Sequence, residues 1–284
     1  MPDLVTIAEA LAWARAAQRE APGTSLEAEV LLAHHARVPR AWLLAHPEAA
    51  LERAAAEAFA RDVGRLAAGE PLPYLTGVQE FFGLAFVVSP DVLVPRPETE
   101  LLVEQAHLWL AHRTQAGGWR VIDVGTGSGC IAVSLAVAAP AQLIVATDLS
   151  ARALAVAQGN ARRFGVADRM RFLRADLLMP FARGFDLVCA NLPYIPSEKL
   201  LALDVARHEP RLALDGGPDG LGLTRRLLAQ ARTRLNPGGC MLLEIEESHG
   251  RAVRELARRV LPSARLSVHA DLAGRDRLLR IDLE

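Results

Sequence analysis

Apolar residues recur at helical spacing through the first seventy residues, and then the rhythm changes. In IAEALAWARAA, residues 7–17, they return every three or four positions, the stripe of a helix with one buried face. A second helix is expected from Thr24-Ser25-Leu26-Glu27, where hydroxyl and carboxylate side chains fit a capping box. Pro39 suits the start of a short third helix, and a fourth is expected from about Glu48 to Ala68, stopped by Gly69. Helices joined by short connections predict a small helical bundle. The stretch EPLPYLTG then reads as a Pro/Gly-rich connector. EFFGLAFVVS and DVLVP read as two β-runs around Ser89-Pro90-Asp91, a hairpin candidate closed by Pro95 and Pro97.

From about Glu98 helical and extended patterns alternate. A helix in ETELLVEQAHLWLAHR leads to the strand RVIDV and to a helix after Gly129. The strand QLIVATD, the helix ARALAVAQGNARRFG and the strands MRFLRAD and FDLVCA follow. A helix near 221–234, the strand CMLLEIE and a helix near 250–260 come next. Apolar strands separated by helices predict a mostly parallel sheet covered on both faces. The last two runs, RLSVHAD and RLLRIDL, flank Leu272-Ala273-Gly274-Arg275 and are expected to pair as an antiparallel hairpin at one edge. The expected organisation is a helical domain over 1–75, a linker with a β-hairpin over 76–97, and an α/β domain over 98–284.

Composition narrows the classes. A chain of 284 residues, 51% hydrophobic, has material for a large core. A formal net charge of −1 argues against gripping nucleic acid by bulk electrostatics. Lys199 is the only lysine, and the Arg, Ala and Leu usage reads as compositional bias rather than phosphate recognition. Cys130, Cys189 and Cys240 are far apart in apolar contexts, which predicts buried free thiols and neither a metal site nor a disulfide framework. His34, His35, His46, His208 and His249 lack ligand-like spacing and suit surface or capping roles. The first residues have no basic region and no apolar run reaches 18 residues, so neither a signal peptide nor a membrane span is expected, and the chain reads as cytoplasmic.

The strand ends carry the chemistry. Val121-Ile122-Asp123-Val124 runs into Gly125-Thr126-Gly127-Ser128-Gly129, a G-x-G-x-G turn where a ligand can approach the backbone. Cys130 stands where a dinucleotide fingerprint needs its third glycine. The Asp123 carboxylate would repel a pyrophosphate and suits a cationic amino acid group. Asp148, 19 residues beyond Gly129, ends the next strand, where an acid commonly takes a ribose diol. Asp176 and Leu177 follow the third strand and could hold an adenine edge and face. Together these ends describe a nucleoside carrying an amino acid and no phosphate, which S-adenosylmethionine fits. Taken singly, the glycines are a tight turn and each aspartate is a helix N-cap.

The fourth strand ends in Asn191-Leu192-Pro193-Tyr194 on the same rim. Asn191 offers a side-chain carbonyl, and Pro193 restricts Leu192 to extended geometry, which fixes the direction of its carbonyl. Two fixed acceptors suit one NH₂ group, and Tyr194 supplies a flat surface against a planar group. Methyl transfer to an amide or aromatic amine needs this, because the delocalised lone pair must be oriented and the charge building on nitrogen stabilised. Glu244 and Glu246 alternate along the fifth strand and point one way, as core-edge polar groups or as substrate-side charges.

The chain resembles the bacterial release-factor glutamine methyltransferases, the HemK/PrmC family. The likeness rests on PLPYLTGVQEFFGLAFVV, VLVPRPETELLVEQA, DVGTGSGCIAVSLA, NLPYIP, HEPRLALDGGPDGL, LNPGGCMLLEIE and DLAGRDR. It implies a Rossmann-like class I methyltransferase domain with a seven-stranded sheet, behind an N-terminal helical bundle that docks the substrate. It implies methyl transfer from S-adenosylmethionine to the glutamine N5 in the Gly-Gly-Gln loop of class 1 peptide release factors, leaving S-adenosylhomocysteine. By the same resemblance Gly125–Gly129, Asp148, Asp176, Leu177 and Asn191 bind the cofactor, and Asn191, Leu192, Pro193 and Tyr194 take the substrate amide. Leu192 departs from the family's usual Asn-Pro-Pro-Tyr. NLPY also resembles ribosomal RNA adenine dimethyltransferases, so a ribosomal-protein glutamine, an adenine, or binding without catalysis stay open as readings. A monomer without direct nucleic-acid binding is expected.

Overall fold

The computed structural model describes residues 6–17, 25–111, 118–140, 142–182 and 184–284. The chain divides into two compact units, Met1–Val78 and Gln79–Glu284.

The first unit contains α1 (Ile7–Ala17), α2 (Ser25–Ala36), α3 (Arg40–Ala45), α4 (Arg53–Ala67) and α5 (Leu72–Thr76). Ile7, Leu11, Leu31, Leu32, Leu43, Phe59 and Val63 close its core. Thr24, part of the expected capping box, lies outside the described residues. A reciprocal box occurs instead at α1: Glu9 Oε2 accepts from Thr6 N at 3.0 Å, and Thr6 Oγ1 accepts from Glu9 N at 3.3 Å. The fourth helix begins at Arg53 rather than near Glu48. The carbonyls of Pro47 and Ala49 are engaged by the N–H groups of Ala8 and Ile7, so this segment completes the start of α1. The expected connector PLPYLTG is itself helical: Pro71 precedes α5 in extended geometry, Leu75 is buried in the bundle core, and Gly77 ends the turn at φ +74°.

A two-stranded hairpin follows along the chain, β1 (Val78–Phe81) and β2 (Leu84–Val87), all but Val78 in the second unit. Its turn is Phe82-Gly83, both at positive φ, and not Ser89-Pro90-Asp91 as the sequence suggested. Paired positive φ values match the twist of the flanking strands. Ser89-Pro90-Asp91 does form a turn, with Val92 N donating to Ser89 O at 3.1 Å, but among the described residues the run after it pairs with no strand, and Val94 N donates to Glu209 Oε2 at 3.1 Å. Phe82 N donates to Glu100 Oε1 at 2.7 Å. Asn160 completes the edge of β2, accepting from Val87 N and donating to Val87 O.

Next come α6 (Glu100–Ala111), β3 (Arg120–Val124), α7 (Cys130–Ala138), β4 (Leu143–Asp148), α8 (Ala151–Arg163), β5 (Met170–Arg174) and β6 (Phe185–Ala190). After these come α9 (Ser197–Leu200), α10 (Gly222–Arg234), β7 (Leu235–Glu244), α11 (Gly250–Val260), β8 (Arg265–Ala270) and β9 (Asp276–Asp282). The seven-stranded sheet runs β5-β4-β3-β6-β7-β9-β8. Its first five strands are parallel, and β9 and β8 pair antiparallel at one edge, as the pattern predicted. Alternate residues serve opposite faces. Val121, Leu187, Cys189, Cys240 and Leu242 pack under α6 and α7, while Ile122, Val188, Met241 and Leu243 pack against α10 and α11. All three cysteines are buried, and none is in a disulfide. β7 ends at Glu244, so Glu246 is not on the strand; it accepts from Ser248 N at 2.9 Å.

The chain leaves β3 outward to β4 and β5, then returns to β6 on the other side of β3. This reversal is the switch point, where loops diverge and leave a crevice at the carboxyl ends.

Candidate functional site

A cavity of about 410 Å³ opens there. It is lined by the glycine loop from Gly125 to Ser128, by Asp148, by Asp176 and Leu177, and by Asn191, Leu192 and Pro193. The structure therefore brings together the ends of four strands that sequence reading had joined only by inference. Asp123 and Tyr194 are not among the lining residues.

Backbone groups shape the loop. Gly125 N and Thr126 N both donate to Thr147 O, at 2.9 and 2.8 Å. Asp148 accepts from Gly127 N at 2.9 Å and from Ser150 N at 2.8 Å, so one carboxylate ties the loop to the start of α8. Burial pushes the Asp148 carboxyl above its usual range, against the pull of these N–H donors. Asn160, fully buried on α8, donates to Ser128 O at 2.9 Å and thereby couples the loop to the hairpin.

Asp123 lies beneath this loop, 0% exposed. Thr126 Oγ1 donates to its Oδ2 at 2.6 Å, while Oδ1 makes no well-formed hydrogen bond. Burial pushes the carboxyl up to about 7; the Thr126 hydroxyl and the nearby Ala132 N–H oppose the rise without cancelling it.

At the β6 edge, Leu192 is buried and its Cδ2 closes against Gly125, where a β-carbon would meet it at 3.1 Å. The leucine side chain thus packs on the glycine loop. At Tyr194, next along the chain, burial first and Glu244 second push the phenol up to about 12. The GGPDGL stretch backs this edge. Ile195 N donates to Leu214 O, Gly216 N donates to Ile195 O, and Ser197 Oγ bonds Asp215 Oδ1. A β-carbon on Gly216 would lie 2.8 Å from Pro193 O and from Tyr194 Cα, so only glycine permits this approach.

Three participants escaped the sequence reading, and a fourth, Glu244, was left there as either a core-edge polar group or a substrate-side charge. Thr99, from PRPETE, lines the cavity at 2% exposure and accepts from Asn191 Nδ2 at 3.0 Å. Glu209, from HEPRL, is buried and pairs with Arg96 while accepting from Val94 N. The PRPETE loop is thereby clamped over the cavity. Arg226 on α10 pairs with Asp176. Glu244 ends β7 beside Asn191, as the pairing of Ala190 with Leu243 requires. Burial pushes its carboxyl up to about 7, with the Thr99 hydroxyl as the strongest opposing influence. One signal joining Thr99 to Glu244 was available. Residues 189 and 191, and 240, 242 and 244, share the parity that faces α6, and Thr99 sits at the entry to α6.

Comparison with known proteins agrees with this architecture. The PrmC N-terminal domain matches residues 9–77, and the methyltransferase small domain matches residues 99–208. The release factor glutamine methyltransferase of Moorella thermoacetica is 49% identical over 255 residues, covering 89% of this chain and 89% of that protein. The chain belongs to the release factor glutamine methyltransferase family. The member from Bordetella pertussis is 46% identical over 259 residues, covering 89% of this chain and 93% of its own. Among solved structures, the N-terminal domain of human METTL16 in complex with SAH has a TM-score of 0.51 at 18% identity. That match covers 72% of this chain and 77% of the other, and it speaks for the fold alone. Among the described residues no helix is long and apolar enough to cross a membrane.

Proposed function

We propose that the protein methylates the side-chain amide N5 of the glutamine in the Gly-Gly-Gln motif of class 1 peptide release factors, with S-adenosylmethionine as donor, and so acts on translation termination. Family membership supports the reaction class. The observation that carries the site is that Asn191 lines the same cavity as Asp148 and the glycine loop.

The residues fit the cofactor. Asp148 has an acceptor at the cavity wall for a ribose diol, and Leu177 offers an apolar face beside Asp176. A β-carbon at Gly127 would meet open space, so the loop leaves room for a ligand against its backbone. The bound cofactor supplies an electrophilic sulfonium methyl. Asp123, which does not reach the cavity, acts in this reading through Thr126 by holding the loop.

Asn191 Oδ1 and the Leu192 carbonyl accept the two hydrogens of the substrate amide and aim its nitrogen. Charge building on nitrogen strengthens both hydrogen bonds, and the surplus proton leaves afterwards to water. Pro193 fixes the Leu192 carbonyl, and Tyr194 supplies a flat surface against the planar amide. The helical unit docks the release factor, and the chain works as a cytoplasmic monomer without a nucleic-acid partner.

The test is peptide mass spectrometry of a release factor after incubation with the protein and S-adenosylmethionine. A gain of one CH₂ on the Gly-Gly-Gln glutamine is expected, and Asn191→Ala should remove it while leaving cofactor binding intact. No gain in the wild type, with cofactor still bound, would overturn the substrate and direct the assay to ribosomal-protein glutamine and to adenine.

A further inference from the structure

We propose that Thr99 and Glu244 are positioning residues that hold the Asn191 amide in one orientation, with Oδ1 turned to the substrate and Nδ2 turned away. This rests on the reading of Asn191 as the substrate's acceptor.

An asparagine amide has nearly the same shape when its oxygen and nitrogen exchange places, so packing alone does not choose between the two. The choice matters here. With Oδ1 outward the edge presents two acceptors to a substrate NH₂. With Nδ2 outward it presents a donor to a donor, and the substrate nitrogen is repelled.

Two buried neighbours make the choice. Thr99 Oγ1 accepts one Nδ2 hydrogen at 3.0 Å. The buried Glu244 carboxylate lies beside Asn191 in the β6–β7 register, its Oε2 makes no well-formed hydrogen bond, and the Thr99 hydroxyl is near enough to lower its proton affinity. A hydroxyl has one hydrogen, and an ionised carboxylate has none. The order of donation is therefore fixed from one end: Glu244 accepts, Thr99 donates to it, and Thr99 accepts from Asn191. Turning the amide over would either set Oδ1 against two acceptors or, if the Thr99 hydroxyl swung round to donate to it, take that donor from a carboxylate only 6% exposed; both are costly. Glu244 Oε2 is buried with no well-formed hydrogen bond, which leaves it an acceptor for the Thr99 hydroxyl proton.

The relay works fully only when Glu244 is ionised. A protonated carboxyl can donate to Thr99, which then turns to donate to Asn191 Oδ1, and the orientation is no longer enforced. The charged groups facing Glu244 are Arg277 on β9, which favours ionisation, and Glu98, which opposes it through like charge; the Tyr194 phenol, raised to about 12, is neutral in this range. With its carboxyl raised to about 7 by burial, Glu244 ionises as pH rises through neutrality. The edge is thus set for an amide above that point and loosened below it.

The experiment uses the full chain in three variants: Thr99→Val, which keeps shape and removes the hydroxyl; Thr99→Ser, which restores the hydroxyl; and Glu244→Gln, which keeps shape and removes the charge. The chain has three asparagines, Asn160, Asn191 and Asn236, so asparagine-selective ¹⁵N labelling gives three side-chain NH₂ pairs. In the wild type the Asn191 pair is expected to shift as pH crosses about 7, with Asn160 as an internal control bonded to backbone carbonyls. In Thr99→Val and in Glu244→Gln that movement disappears; in Thr99→Ser it persists. With release factor as substrate, Thr99→Val and Glu244→Gln should lower kcat about tenfold or more while S-adenosylhomocysteine affinity changes by less than about twofold, and Thr99→Ser should recover most of the loss. Asn191 resonances that ignore pH in the wild type, or kcat unchanged in both Val and Gln variants, overturn the proposal. If the wild type fails to methylate release factor, the substrate reading falls, and the resonance titration still decides the orientation.

Discussion

Gly127 N–H donates to Asp148 Oδ2 at 2.9 Å, joining the loop after β3 to the end of β4. The acid placed to take a ribose diol is therefore also a brace for the turn that cradles the ligand. Replacing Asp148 by Ala removes both roles at once. S-adenosylhomocysteine binding is expected to weaken by about 1–3 kcal/mol, the range for hydrogen bonds to a charged group. Isothermal calorimetry reads this directly, and equal affinity would move the ribose site elsewhere.

The division between what the sequence showed and what it hid follows the range of the forces. Strand parity and glycine placement are local, so the sheet, its antiparallel edge and the four strand ends could be read from Asp123, Asp148, Asp176 and Asn191. The hairpin turn was misplaced because Ser89-Pro90-Asp91 has stronger turn composition than Phe82-Gly83. Composition does not show that Val94 gives its N–H to Glu209, 115 positions away. The same holds for Thr99 and Asn191, 92 positions apart. Each is an ordinary polar residue until the fold buries it beside its partner. Tyr194 was placed against the substrate because its neighbours face the cavity, and it is not among the residues that line the cavity.

Glu244 and Asp123 should make the fold less stable toward alkaline pH. Both carboxyls stand at about 7, from ordinary values of 4.5 and 3.8. For an acid raised on folding, the unfolded chain releases its proton first. Stability is thus fully present below the unfolded value and is lost as pH rises through the folded one. Glu244→Gln mimics the neutral acid. Relative to wild type it should match near pH 4 and gain on the order of 2–3 kcal/mol by about pH 8. Urea unfolding at the two pH values checks this, and a difference that does not grow with pH would show that Glu244 is not raised.

Gly216 is where the GGPDGL stretch touches the reacting edge. A β-carbon there would lie 2.7 Å from Gly220 O and 2.8 Å from Pro193 O, both backbone atoms that cannot rotate aside. Gly216→Ala must therefore move the loop or the NLPY edge. Turnover on release factor should fall about tenfold or more, since a displacement of about 1 Å at a positioned group costs rate steeply. Cofactor affinity should change little, because Gly216 does not line the cavity. Unchanged kcat would show that the edge tolerates movement.

Leu192 tests whether the second position of the edge works through its carbonyl or its side chain. Its side chain is 6% exposed and rests on Gly125, so Leu192→Pro removes apolar contact from the glycine loop. Proline keeps the carbonyl, and a proline at this position restricts Asn191 to extended geometry just as Pro193 already restricts Leu192. The expected outcome is a folded enzyme, less stable by about 1–2 kcal/mol for the partly refilled space, with turnover close to wild type. Thermal melting and single-turnover assays separate the two effects. A variant that melts normally and no longer turns over would assign catalysis to the leucine side chain, through its grip on the loop at Gly125, and not to the carbonyl that both residues share.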